Sequence, residues 1–157
     1  MITASTVADY FLALANESEE PITNMKLNKL AYYAQAWNLA VFNVPLFADE
    51  IEAWVHGPVV RTVYNTYRQF RWTPIITSDL NLEEIRQQFS PEQQELLDDI
   101  TEIYFPKTTY ALEQLTQSED PWIIAREGLA PYEPSSNIIT QDSMKNYYAR
   151  MLRKMSA

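Results

Sequence analysis

Apolar residues near the start of the chain recur at steps of three and four. Val7, Ala8, Phe11, Leu12, Leu14 and Ala15 predict a first amphipathic helix over Thr3 to Asn16, with Ser5 or Thr6 as its cap. After the break at Glu17 to Pro21, "PITNMKLNKLAYYAQAWNLAVFN" opens a longer helix capped by Thr23 or Asn24. Leu27, Leu30, Ala31, Ala34, Trp37 and Val41 keep the helical period. Tyr32, Tyr33 and Leu39 widen the apolar surface beyond one stripe, so this helix is expected at the centre of the molecule, with Tyr32, Tyr33 and Trp37 in the core.

The period then changes. Ile51, Ala53 and Val55 alternate with Glu52, Trp54 and His56, the pattern of a half-buried strand. Gly57 permits a tight turn, and Pro58 suits the first position of a helix. Val59, Val60, Val63, Tyr64 and Tyr67 would form that helix's apolar side. "TPIIT" at 73–77 is strand-like and is expected to pair with 51–55. Ser90, Pro91 and Gln93 spell a capping box that starts a helix burying Leu96, Leu97, Ile100 and Ile103. A further helix ends near Ser118, Pro121 begins a short turn carrying Trp122, and Thr140 caps a last helix. Residues 127–137 read as a surface loop. The expected fold is mainly α (α+β), a compact single-domain bundle of about six to eight helices. A short two-stranded β element is expected near residues 51–56 and 73–77.

Composition narrows the chemistry. The 157 residues include no cysteine, one histidine and two glycines, so thiolate metal sites and histidine clusters are not expected, and neither is a cofactor. The N-terminal stretch has no basic region ahead of its apolar residues and does not read as a signal peptide. No apolar run approaches a membrane span, and the plain reading is a cytoplasmic protein. The net charge is −9, and residues 81–120 hold 10 acids against 2 bases. Direct nucleic-acid binding is therefore disfavoured, while a basic partner would be drawn to that segment.

Catalytic signals are sparse. His56 could act as a base, but no nucleophile ordering or phosphate loop accompanies it, and a strand-end histidine packed on Trp54 and Tyr64, or exposed, is the simpler reading. The acid pairs Glu83/Glu84, Asp98/Asp99 and Glu119/Asp120 read as solvated helix faces rather than Mg²⁺ ligands. Arg61 and Arg68, seven apart with Arg71 beyond, could grip a phosphate or an acidic partner, or pair with the protein's own acids. No catalytic residue is assigned. Candidate partner-binding residues are Glu95, Asp98 and Asp99 on the acidic side, and Arg61 and Arg68 on the basic one.

Three blocks carry a resemblance: "MKLNKLAYYAQAWNLA", "PLFADEIEAWVHGPVVRTVYNTYR" and "ALEQLTQSEDPWIIAR". Their markers are Lys26, Leu27, Lys29 and Leu30, the corner Gly57, Pro58 and Val59 ending in Tyr64, and Pro121 with Trp122. Together they resemble the Panacea domain family, the SocA-like antitoxins and phage-associated proteins. The chain departs from that pattern at His56, where many members carry an aromatic, and at Gln117, where many carry a histidine. The resemblance implies a mainly helical, non-enzymatic antitoxin that binds and neutralises a toxin encoded beside it. It also admits a proteolytic adaptor that hands a bound toxin to a protease, or a phage-associated regulatory protein.

Overall fold

The computed structural model describes residues 1–156. Among them the chain forms eight helices and a small three-stranded antiparallel sheet, a mainly α architecture with a short β element. Helix α1 (Ala4–Ser18) is capped by Thr3, whose hydroxyl accepts from the Thr6 amide, rather than by Ser5 or Thr6. Helix α2 (Asn24–Phe42) is capped by Thr23 as expected, and it stops where Asn43 takes a left-handed conformation. Along it Leu27, Leu30, Ala31, Tyr32, Tyr33 and Ala34 are all fully buried, so α2 is the axis about which the other elements pack.

Strand β1 (Ile51–Trp54) forms where the alternation predicted it. Its partners correct the sequence reading. β1 pairs with β2 (Gly57–Val60) on one edge and with β3 (Ile138–Ile139) on the other, while 73–77 is not in the sheet. The adjacent segment closes a hairpin at little entropic cost, and β3 takes the second side of β1, so β1 has no edge left for 73–77. That segment bonds the α1–α2 link instead, with the Ile75 amide donating to the Ile22 carbonyl at 2.8 Å. Gly57 and Pro58 accordingly lie in a strand and not at a helix start. Pro58 is tolerated because β2 is an edge strand, where a missing N–H breaks no ladder bond on its outer side.

Helix α3 (Arg61–Thr66) follows without a break and gives way to a 3-10 turn at Arg68–Phe70, so Arg61 and Arg68, seven apart, do not share one helix. A short α4 (Leu82–Arg86), capped by Asn81, was not anticipated. Helix α5 (Pro91–Tyr104) carries the expected capping box, with Ser90 and Gln93 each bonding the other's backbone. It buries Leu97, Ile100 and Tyr104, but Ile103 is exposed and not in the core. Helix α6 (Thr109–Gln117) leads into α7 (Asp120–Ala125), so the segment at Pro121 is a helical start rather than only a turn. Helix α8 (Gln141–Ser156) is capped by Thr140, whose Oγ1 accepts from the Ser143 amide, and it packs along α2.

The polar residues of α2 fix the hairpin. Asn28 Oδ1 accepts from the Val60 amide at 2.9 Å, satisfying an outward N–H of the edge strand. Its Nδ2 donates to Asn24, and Asn24 Nδ2 in turn donates to the Tyr64 carbonyl at 2.9 Å. Between these bonds and α6 lies Lys29, completely buried, with no hydrogen-bond partner for Nζ among the described residues. Burial lowers its pKa to about 7, a nearby Glu113 opposing in part. Gly57 covers it. A Cβ at Gly57 would stand 2.7 Å from Lys29 Cε and 2.9 Å from Thr116 Oγ1, and φ there is +112°.

Two outcomes are expected. Gly57→Ala should lower the unfolding free energy in urea by at least about 1–3 kcal/mol, because the backbone strain and the close approach act together. An unchanged midpoint would contradict this packing. For Lys29 the sign is set by the lowered pKa. The unfolded chain binds the extra proton between about pH 7 and the usual lysine value of 10.5, so Lys29 makes stability rise with pH in that window and adds no slope below it. The slope is bounded by about 1.4 kcal/mol per pH unit. Lys29→Met should remove the rise between pH 7 and 9.5 and raise stability at neutral pH; a variant with the wild-type slope would contradict the burial.

Candidate partner-binding surfaces

The three sequence blocks meet in space. Block one supplies the inner face of α2, block two the hairpin and α3, and block three the α6–α7 corner. Glu119, at the head of α7, joins them from below. It accepts from Tyr33 Oη at 2.7 Å and from Tyr148 Oη at 2.9 Å, and Tyr148 also bonds Tyr32. Burial raises the Glu119 pKa, the two tyrosine bonds opposing, and burial likewise raises the tyrosines. On the outer side Trp122 Nε1 donates to the Trp54 carbonyl, Gln117 Nε2 to the Val55 carbonyl and Arg126 to the Ala53 carbonyl, tying α6 and α7 to β1 and its turn.

The marker residues thus face inward. Leu27, Leu30, Gly57, Pro58, Val59 and Pro121 are buried. Lys26 lies half-buried, its Nζ donating to the Phe105 carbonyl at 2.7 Å and lying over the Phe105 ring, with a pKa lowered mainly by burial. Tyr64 packs edge-on against Trp54, and Trp122 is partly buried under Arg126. Sequence reasoning singled these residues out but did not find what they hold. Asn28 was missed, Asn24 was read only as a possible helix cap and Glu119 as a solvated acid; for the two asparagines, polar side chains interrupting the apolar pattern of a central helix were the available signal.

The candidate chemistry sits outside this framework. His56 projects from the hairpin turn, exposed, with Nδ1 2.7 Å from Glu113 Oε1. The acid pairs diverge: Glu119 is buried among tyrosines while Asp120 faces Arg150 at 3.1 Å. Among the described residues no group of three carboxylate or imidazole side chains is placed to hold a metal ion. Among the described residues no helix is long and apolar enough to cross a membrane.

Two regions of surface hollows adjoin the candidate partner-binding residues. One, of about 300 Å³, lies between α2, α5 and the end of α8. Its floor is Trp37, Leu96, Ile100 and Leu152, its lips are the exposed Val41, Ile103 and Met155, and its rim carries Asp99 and Glu102. Helix α5 contributes five carboxylates and no base. Glu95 is exposed on the same helix, whereas Asp98 is held bidentate by Arg86, which lowers its pKa. The second hollow runs along the hairpin and α3 on the basic side. There Arg61 is clamped on Glu52 at 2.7 and 2.9 Å and lies over Trp54, while Arg68 forms no ion pair.

The model of one protein family, described as the antitoxin SocA-like Panacea domain, matches residues 27–123. No curated protein and no solved structure matches the chain. The match takes in α2, the hairpin and the start of α7, the elements whose polar side chains lock together, and it covers more than half of the sequence. The chain belongs to the SocA-like antitoxin family of Panacea-domain proteins.

Proposed function

We propose that this protein is an antitoxin that neutralises a cognate protein toxin by binding it directly, without catalysis, and that the toxin is encoded in the adjacent gene. The observation that carries the reading is the acid-rimmed apolar hollow on α5. Three apolar side chains stand exposed around a hydrophobic floor, and Asp99 and Glu102 border it with no neighbouring base on their own helix. This suits an amphipathic, basic segment, whose apolar residues fill the groove while its lysines or arginines meet the rim. A toxin that acts on nucleic acid needs a basic surface, and covering that surface would block its activity. The long-range field of residues 81–120 would speed the encounter.

The test is co-expression. The neighbouring gene, induced alone, should arrest growth, and growth should return with this protein in a host lacking its ATP-dependent proteases, with the two proteins co-purifying. Rescue only when the protease is present would favour an adaptor instead. The triple reversal Glu95→Lys, Asp99→Lys and Glu102→Lys should weaken toxin binding at low salt by at least about tenfold and leave the thermal midpoint nearly unchanged, because these side chains are exposed. Unchanged affinity would remove α5 from the interface.

A further inference from the structure

The hollow on the basic side ends in an unusual turn. Phe70 accepts the Thr73 amide at 3.0 Å, closing a four-residue turn whose second residue, Arg71, has φ 55° and ψ −122°. Those angles belong to the second position of a type II′ turn, which glycine normally fills. An arginine is held there at a cost in strain, and the next residue, Trp72, is 77% exposed. Neither Arg68 nor Arg71 lies within ion-pair distance of a carboxylate among the described residues, although the protein carries 21 acids. Arg68 in the 3-10 turn and Arg71 just past it both line one groove. The open groove they border, of about 1090 Å³, is lined by Met25, Tyr64, Asn65 and Gln69 as well. It adjoins the smaller hollow of about 540 Å³ beneath Trp54, the two sharing Met25, His56 and Tyr64.

We infer that this groove binds a short acidic segment of a protein partner, with carboxylates on Arg68 and Arg71 and an apolar side chain against Trp72 and Tyr64. Free guanidiniums take carboxylates in a paired, bidentate fashion. The exposed side-chain amides of Asn65 and Gln69 offer a donor and an acceptor each, which suits a peptide backbone. A nucleic-acid strand is the poorer fit, because it needs a basic track along its length and this surface offers two unpaired cations in a molecule of net charge −9. A nucleotide is also a poorer fit, because the Phe70, Arg71 and Thr73 amides are spent on the carbonyls of Tyr67, Arg68 and Phe70, which leaves little of the turn's backbone to cradle a phosphate. The acidic segment is a ligand for a surface separate from α5, and the inference does not depend on neutralisation.

The experiment uses the full chain and a random heptapeptide library displayed on phage. Selected peptides should carry two or more Asp or Glu residues and an apolar one, and the corresponding synthetic peptides should bind more weakly as ionic strength rises from about 0.05 to 0.5 M. Arg68→Ala with Arg71→Gly should weaken that binding by at least about tenfold, the loss expected on removing charge-assisted hydrogen bonds. Arg71→Gly alone should unfold no earlier than the wild type, because glycine relieves the turn. Four results would each overturn the inference: no enrichment, enriched peptides lacking acids, affinity unaffected by the double variant, and tighter binding of ATP or an oligothymidine at the same residues. So would salt-sensitive self-association of the protein abolished by the double variant, which would make a second copy the occupant.

Discussion

The fold depends on how α2 is desolvated. A helix buried on nearly every side would ordinarily be apolar throughout, yet this one carries Asn24, Asn28, Lys29, Gln35 and Asn38 into the interior. Each buried amide must find partners or cost stability. They find them outside the helix, in the distant hairpin and α3 at the Val60 amide and the Tyr64 carbonyl, and in the loop that follows α2 at the Leu46 amide and the Phe47 and Val44 carbonyls. α2 therefore serves as a template as well as a hydrophobic post. A hairpin or loop that docked elsewhere would leave these groups unsatisfied, which specifies the arrangement more narrowly than apolar contact alone. Two atoms are exceptions among the described residues, Asn38 Oδ1 and Lys29 Nζ, both buried without a hydrogen-bond partner, and the amine is tolerated because burial lowers its pKa to about 7.

This division explains what the sequence revealed. Helices with an apolar stripe and a side-chain cap announced themselves: α2 with Thr23, α5 with its Ser90–Gln93 box, α8 with Thr140. What was hidden was partnership over distance. Periodicity marks 51–55 and 73–77 equally as strands, and nothing local says that β1 takes Gly57–Val60 and Ile138–Ile139 instead. Proline was read as a helix starter at Pro58, where its true licence is the edge of a sheet. Ile103 fits the helical stripe of α5 but lies at the lip of a hollow where no element of this chain covers it. Glu119 looked like one of two solvated acids, and only the approach of Tyr33 and Tyr148 shows it to be interior.

The residues on which the family resemblance was read mostly hold the scaffold together, and the surfaces available to partners are built mainly from residues between and beyond them, Tyr64 serving both. On one side stand α5 carboxylates around exposed aliphatic side chains; on another, two unpaired arginines beside an exposed tryptophan. With the polar framework in the interior, changes at the exposed positions would cost little stability, so one fold could present different surfaces.

The most direct measurement of the central reading is hydrogen–deuterium exchange of this protein free and bound to its co-expressed toxin. The account predicts slowed exchange in α5 and the last turns of α8, with the amides of α2 already slow in both states. Protection confined to residues 54–72, or none anywhere, would contradict the placement of the toxin on the acid-rimmed groove.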